Sequence, residues 1–492
     1  MPDGSSWSAA FPTLQDAFDA VVPANETIIL VAHGVYRPAP PPTGDTRNRS
    51  FEFSVDWTNV RVIGGFLGLP GPAGEDPDNP DGSPVRTVLD GSPYMDAGNQ
   101  IDAALHVVAF PESTQTPSFP PQLSLENLAV TGGRANDDGS QLGNYGRGVE
   151  GAGILIESRG NVLLDRVTVV DNWAGLESSM VGFDESHGGG IYVNQGGLLA
   201  STRLRSCTIR DNHAELGAGI YCEGGAALRG GNCRFFGNGR LEMSANPASG
   251  LAPQCLAGGA IYLHRQTDSK WNNSLIYDNV ARESGGGLHW EPYPNNNPGD
   301  YEHSMTHCTV TLNVILGDDQ GGGTFAPSTM RGAGIHVSEA GQDQGTKRFY
   351  VNNSIVYGNR VGREITVVGN STSGLSGAFV RCDFSDVGQV GEIDVSVTST
   401  LDVGVELTPS CINQVPFFMD IPGRDFRLRG LMMSNPSPCV DTASSALIGL
   451  DIVDIDRDTF TNDDLALDFS LMNREATTSG GAAVPDMGAY EQ

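Results

Sequence analysis

The chain has 492 residues, a formal net charge of −30, 64 glycines and only two lysines, Lys270 and Lys347. So acidic a surface excludes nucleic acid and anionic membranes, which would be repelled. It suits solubility in a salty or calcium-containing medium. No run reaches the roughly 18–20 apolar residues of a membrane span, and "MPDGSSWSAAF" lacks the basic start and apolar centre of a signal peptide.

The first element expected is a helix over 12–22, "PTLQDAFDAVV", with Leu14, Ala17, Phe18 and Val21 on one face. That face suits the apolar end of a stacked structure. Apolar runs follow at 28–38, 62–66 and 88–91. Between them, "GEDPDNPDGS" (74–83) gathers Asp76, Asp78 and Asp81 in a Pro/Gly-rich loop. Hard oxygen ligands at alternate positions suit calcium, although the glycine and glutamate that complete an EF-hand loop are missing.

From about residue 160 one phrase recurs, as in "SCTIRDNHAELGAGIYC" (206–222) and "NNSLIYDNVARESGGGLHW" (272–290). Aligned copies put Val167, Cys207, Cys233, Ser274, Cys308, Ser354 and Cys382 at one inward position. Val169, Ile209, Phe235, Ile276, Val310, Val356 and Phe384 stand two residues later, the alternation of a strand with one buried face. Next come Asn172, Asn212, Asn238, Asn279, Asn313 and Asn359, read as turn residues that tolerate the left-handed region. In stacked turns their amides can also hydrogen-bond from coil to coil.

Glycine clusters supply a further corner. A second strand then points Ile191, Ile220, Ile261, Leu288 and Ile335 inward. Tyr192, Tyr221, Tyr262, His289 and His336 point outward as an aromatic stripe. Such a stripe could bind a linear glycan, or could simply stabilise a parallel sheet by stacking. Strand, turn, glycine corner and strand, at irregular periods of about 25–45 residues, describe a parallel β-solenoid. A helical solenoid would need a 3.6-residue period, and a propeller a regular four-strand blade. The spacer between the Asn and the glycines varies most, so insertions should leave the column at one corner and form a ridge.

Three residue groups raise the question of chemistry. Asp171, Asp211 and Asp278 precede the ladder Asn. In neighbouring coils such carboxylates lie about 5 Å apart, so they share a proton, bind a cation or pair with arginine; that separation also suits a retaining glycosidase. Turn chemistry alone accounts for them equally well. With His187, His213 and Glu215 nearby, Asp171 and Asp211 are the catalytic candidates. Of the eight cysteines, those in the repeat read as small buried residues, Cys255 falls in a loop, and Cys411 and Cys439, outside the repeat, are the expected disulfide. No zinc spacing is present. The last hundred residues lose the repeat and should cover the other end of the column. There "DIVDIDRDTFTNDD" (451–464) presents Asp454, Asp456, Asp458, Asp463 and Asp464 as a second calcium candidate.

The phrase "CTIRDNHAELGAGIYC", with "DGSSWSAAFPTLQDAFDAV" (3–21) at the start and "SPCVDTASS" (437–445) and "VPDMGAYEQ" (484–492) at the end, resembles the right-handed parallel β-helix proteins of bacterial surfaces. These share the pectin-lyase-like fold, and the ends look like those of the choice-of-anchor Q type. The resemblance spans nearly the whole chain and implies fold and export. It also implies a leader before the first phrase and an anchor after the last, so the chain reads as trimmed at both ends. Polysaccharide lyases of this fold use Lys, Arg, His or Tyr as base, often with calcium. Two lysines make a lysine-based site hard to assemble, and the paired-Asp and Gly-His-Gly signatures of the related hydrolases are missing, "SHGG" (186–189) being the nearest phrase.

The expected fold is all-β, a right-handed parallel β-helix of eight to twelve coils with an N-terminal capping helix and an irregular C-terminal cap. Its divisions are a cap with entry coils (1–100), a repeat core (101–390) and closing coils with a cap (391–492). The expected role is a secreted or cell-surface scaffold: an adhesin, matrix component or glycan binder, with calcium and no organic cofactor. A polysaccharide lyase or glycoside hydrolase, and a self-assembling filament or surface-layer subunit, are the alternatives.

Overall fold

The computed structural model describes residues 3–23, 25–40, 49–54, 56–68, 86–96, 99–112, 122–135, 150–158, 160–175, 186–195, 201–225, 227–240, 255–265, 267–292, 301–316, 332–338, 345–360, 363–369, 376–388, 393–397, 404–430, 433–448, 453–455, 467–471 and 484–490. The chain divides into two compact units, one of 1–227 with 239–254 and one of 228–238 with 255–492.

In the first unit each coil contributes one strand to each of three parallel sheets. The first sheet runs Glu26–Ala32, Asn59–Phe66, Gln122–Glu126, Asn161–Asp165 and Ser201–Arg205. The second holds Gly34–Tyr36, Thr87–Asp90, Ala129–Thr131, Thr168–Val170 and Thr208–Arg210. The third holds Phe51–Glu52, Val108–Phe110, Ile154–Ile156, Ile191–Asn194 and Ile220–Glu223. The second unit repeats the plan, with Asp268–Asn272, Leu275–Tyr277 and Leu288–Glu291 as one coil's three strands. Each pairs in parallel with the coil that follows. Inward residues such as Ile209, Ile220, Ile276 and Val310 are fully buried. The expected parallel β-helix is thus the observed fold.

Two of the three corners are made by single residues in the left-handed region. At the first stand Asn127, Arg166 and Ser206 in one unit and Asn232, Asn273, His307, Asn353 and Phe384 in the other, all with φ near +50°. The next residue points inward; it is Leu128 and Val167 in the early coils and Cys or Ser from Cys207 on, whose S–H or O–H donates to carbonyls. Cys207 Sγ reaches Leu164 O (3.1 Å) and Ser385 Oγ reaches Val351 O (3.0 Å). Here the sequence alignment needs correcting. Ser385, not Cys382, occupies this position, because Asp383 pairs with Asn352 and Val387 with Val356. Cys411 Sγ, 3.0 Å from Cys382 O, continues the same column rather than lying outside it.

At the second corner the left-handed residue is the Asp before the ladder Asn, not the Asn itself: Asp171, Asp211 and Asp278 have φ of 52°, 55° and 55°. The Asn is released from the turn and buried as a rung. Asn172 donates through its backbone N–H and Nδ2 to Asn212 Oδ1 at 3.2 and 3.1 Å. In the second unit Asn238, Asn279, Asn313 and Asn359 are joined in the same way. The last rung ends on the buried carboxylate of Glu364.

The third corner is the glycine cluster. Gly188 has φ +62°, and a Cβ on Gly190 would stand 2.6 Å from Gly219 O and 3.0 Å from the Asn212 carboxamide. The first glycine therefore serves the turn and the last makes room for the ladder.

The helix Leu14–Asp19 is shorter than expected, with Thr13 capping Asp16 N–H (3.1 Å). Only Leu14 and Phe18 are buried; Phe18 packs edge-on against Phe53 (5.5 Å) and Trp57 (5.4 Å). At the other end the closing segment lies along the outward face of the second unit's second sheet. Phe418, Phe426, Leu428, Cys439 and Met487 cover Leu275, Tyr277, Leu312 and Ile355 there. This explains an apolar residue at a left-handed position (Leu312, φ 58°), where other coils use Asp or Gly. The two closing phrases meet on that face: Met487 N–H donates to Cys439 O (3.0 Å) and Asp441 N–H to Asp486 Oδ1 (2.6 Å).

Candidate functional site

The third corner and the strand after it carry most of the residues singled out from sequence. In the first unit Tyr192 and Tyr221 are in register, with ring centroids 5.6 Å apart and planes 6° from parallel. His187 lies 4.2 Å from the Tyr221 ring, and its Nδ1 is 3.2 Å from Glu150 Oε1. In the second unit Tyr262 stacks on His289 (4.6 Å, 2°), which meets His336 at 4.9 Å.

The stripe therefore exists, but it is not an open platform. Tyr192, Tyr221, Tyr262, His289 and His336 are 0, 2, 3, 5 and 1% exposed. The corner folds back over them: Ser284 Oγ sits 2.9 Å from His289 Nδ1, and Gly332 N–H points at His336 Nδ1 (3.4 Å). Period-two alternation distinguishes the two faces of a strand and carries no information about what covers the outer one. These aromatics lock coils together and do not lie open to a sugar.

Sequence reasoning missed their acceptors. Tyr192 Oη donates to Glu223 Oε1 (2.5 Å), joined by Asn194 Nδ2 at 3.1 Å, and Tyr262 Oη donates to Glu291. The signal was present in "IYCE" (220–223) and "LHWE" (288–291): an acid two residues after the aromatic receives the phenol of the coil before.

The catalytic candidates fall at different corners. Asp171 and Asp211 stand side by side in neighbouring coils, as expected, at the second corner. Their side chains are 70 and 45% exposed and pair with arginine, Asp171 with Arg134 (3.4 Å) and Asp211 with Arg210. Asp278 likewise meets Arg424 of the closing segment. His213 is buried against the Trp173 ring at 4.6 Å. Glu215 accepts from Ser186 N–H (3.4 Å) and returns its own N–H to Ser186 Oγ (3.0 Å). Arginine pairing and turn geometry account for the aspartates; His187 and Glu215 brace the third corner.

Among the described residues no group of three or more His, Cys, Asp or Glu could hold a metal ion. Asp76, Asp78, Asp81, Asp456, Asp458, Asp463 and Asp464 lie outside the described residues, and Asp454 occupies a left-handed turn (φ 57°).

The expected Cys411–Cys439 disulfide is absent; both are thiols. Cys411 is committed to the small-residue column, whereas Cys439 belongs to the closing segment, its Sγ 3.3 Å from Asp386 Oδ2. Burial pushes both thiols up, and burial raises the Asp386 carboxyl to about 6. Asp386 is fully buried, with Gln414 N–H as its backbone donor (3.1 Å). A carboxyl whose folded pKa is raised stabilises the fold fully below its unfolded value near 3.8, and that stability is lost as pH rises through about 6. Asp386→Asn keeps the acceptor for Gln414 and has no charge to bury. It is expected to gain about 1–3 kcal/mol at pH 8 and nothing at pH 3.5, read as a Tm difference that closes on acidification.

One comparison with known proteins, the family match, agrees with this architecture. Residues 136–380 match the family described as "Right handed beta helix region", which gives the hand of the coil. No curated protein matches the chain. The crystal structure of pectate lyase Pel9A is similar at 12% identity with a TM-score of 0.41, the alignment covering 100% of this chain and 93% of that one. The fold of the chain is a right-handed parallel β-helix.

Proposed function

We propose that this right-handed β-helix is an exported, cell-surface scaffold of the choice-of-anchor Q type that binds glycan through segments inserted at its third corner. One observation carries the reading: the column holds its register while the connection at the third corner varies widely in length from coil to coil. In the first unit, segments 136–149 and 176–185 both lie between the second-corner strands (Arg134–Ala135, Trp173–Ala174) and the third-corner bridges (Glu150, His187). In the second, 317–331 lies between Val314–Ile315 and Gly332–Ser338. Yet the coil through Val280–Ala281 reaches Ser284 with only Arg282 and Glu283 between. The fold does not need the longer segments, so function is the reason to keep them. Sequence likeness at the two ends of the chain supports export.

The short coil also supplies the test. Replacing 317–331, or 136–149, by Arg-Glu-Ser should leave Tm unchanged and abolish retention on a polysaccharide that holds the parent chain. The panel spans neutral and acidic polymers with calcium, and unsaturated products and new reducing ends are followed throughout. Turnover on any polymer would replace the binding reading with a lyase or hydrolase. Retention that survives both replacements would move the binding surface elsewhere.

A further inference from the structure

The first unit leaves one strand edge uncovered. Glu26–Ala32 begins the first sheet and is paired, among the described residues, only with Asn59–Phe66. With seven residues it is the longest of the three opening strands; Gly34–Tyr36 has three and Phe51–Glu52 two. The cap packs Phe18 against Phe51 but stands off from this edge, leaving a groove of about 870 Å³. Six consecutive residues, Thr27 to Ala32, line it, those with inward and those with outward side chains alike. Only the backbone edge of a strand presents both sets to one space. Trp7, Phe11, Leu14 and Val21 of the cap form the other wall.

The edge has hydrogen bonds to offer. Gln122 N–H donates to Thr58 O (2.6 Å) and His33 N–H to Phe66 O (2.7 Å). With the register of Thr27–Leu30 on Val60–Ile63, these bonds turn the odd-numbered residues' N–H and C=O toward the neighbouring strand. Ile28 and Leu30 therefore direct both groups into the groove, and Ala32 directs its N–H there. The Ala32 oxygen is already held by Tyr36 Oη (3.0 Å) and Thr87 Oγ1 (3.1 Å). An extended polypeptide complements such a slot, because its backbone pairs with the edge while alternate side chains meet the apolar walls. A small apolar ligand would leave the edge dry and unpaired.

Charge selects among polypeptides. Residues 3–36 hold Asp3, Asp16, Asp19 and Glu26 and no lysine or arginine. Asp3 lines the groove and Glu26 opens the strand that forms its edge. Exposed apolar residues gather at the same place: Ile28 in the groove, and Val22 and Leu67 next to the lining residues Val21 and Gly68. An apolar strand with cationic ends matches both features.

We propose that this groove binds an extended segment of a partner protein, apolar at alternate positions and carrying lysine or arginine at its ends, which pairs with the edge of Thr27–Ala32. The site shares no residue with the third-corner segments, so it stands apart from the glycan reading.

The probe is a labelled heptapeptide, Lys-Val-Thr-Val-Thr-Val-Lys, blocked at both ends and titrated into the full chain. Fluorescence anisotropy reads binding, and amide exchange reads protection at Ile28 and Leu30. The expected result is saturable binding that slows exchange at both amides and weakens at least about ten-fold between low salt and about 0.5 M NaCl. Ile28→Pro removes one N–H that faces the groove and no bond of the ladder. It should weaken binding at least about ten-fold. If that variant lowers Tm, two peptides N-methylated on the valines or on the threonines decide without altering the protein. One set of amides must face the edge, so at least one of the two should fail to bind. Binding of both as tightly as the parent peptide overturns the proposal, as does equal binding of a peptide with glutamate in place of lysine, or no binding at all. A dimer of the chain that the peptide dissociates would put a second copy in the groove, and overturns it too.

Discussion

Replacing Asn279 by alanine is expected to lower stability by about 3–5 kcal/mol, the largest loss from any single truncation considered. The Asn279 carboxamide accepts from the backbone N–H and Nδ2 of Asn238 (3.2 and 2.9 Å). It donates to Phe235 O (2.9 Å), Tyr277 O (3.0 Å) and Asn313 Oδ1 (3.0 Å). Alanine leaves all five partners short of a bond in a site that water does not reach. Asn279→Asp is the sharper test, because it keeps the shape and reverses the hydrogen bonding. Its carboxylate would face three acceptors, so at pH 7 it should cost at least as much as alanine. Denaturant unfolding and amide exchange in the flanking coils measure both; a repeat array need not unfold in one step, so local exchange is the safer reading. Wild-type stability in Asn279→Ala would remove the ladder from any role in holding the column.

The second large effect concerns acid. His303 is fully buried between Trp290 (4.3 Å) and Phe349 (5.9 Å). Ser269 N–H donates to its Nδ1 at 3.2 Å, which puts the ring proton on Nε2, where it has no acceptor among the described residues. Burial takes the His303 pKa from 6.5 down to about 3. A base depressed in the fold contributes its full stability above pH 6.5, and that stability is lost as pH falls toward 3. The loss is on the order of 3–5 kcal/mol at the acid end. His303→Asn keeps an acceptor near the Nδ1 position and removes the titration. It should cost something at pH 8 for the lost ring and flatten the fall of Tm between pH 6.5 and 3. His106, also buried and lowered, leaves part of the slope in place. An unchanged slope in His303→Asn would assign acid sensitivity to other groups. Asp386 works in the opposite sense, so the two buried residues set opposing limbs of one stability profile.

How far the sequence could be read follows from which interactions are periodic. The coil, its inward apolar pairs and the Asn rungs were legible because each depends on one residue type returning at one position. Errors arose where a position is set by backbone conformation. A left-handed corner accepts Asp, Asn, Ser, Arg, His or Leu, so assigning it to the conspicuous Asn placed it one residue too late. Cys382 resembled the column because a cysteine and an alternation coincided, while Ser385 and Cys411, which hold the place, stand where the repeated phrase is no longer legible. The aromatic stripe was placed on the correct face and credited with an exposure it lacks, since alternation carries no information about the corner four or five residues earlier folding back over it. The closing segment was expected at the end of the column and lies along its side. Leu275, Ile355 and the aromatic pair Phe236 and Tyr277, outward residues where the coil at 208–210 places Thr208 and Arg210, were the available hint.

The rungs also have a mechanical meaning. In the second unit successive Asn rungs are separated by 41, 34 and 46 residues. Each coil is fastened to the next by strand pairing in three sheets and by one short row of buried amides, and the chain between two rungs is paid out only when these part together. Pulled from an end, such a column yields coil by coil, each rupture releasing about 120–160 Å of extended chain at roughly 3.5 Å per residue. The unequal loops at the third corner set the length of each release. A protein held between a cell and whatever it grips would thus carry a graded series of sacrificial tethers, dissipating load in steps while the remaining coils stay folded.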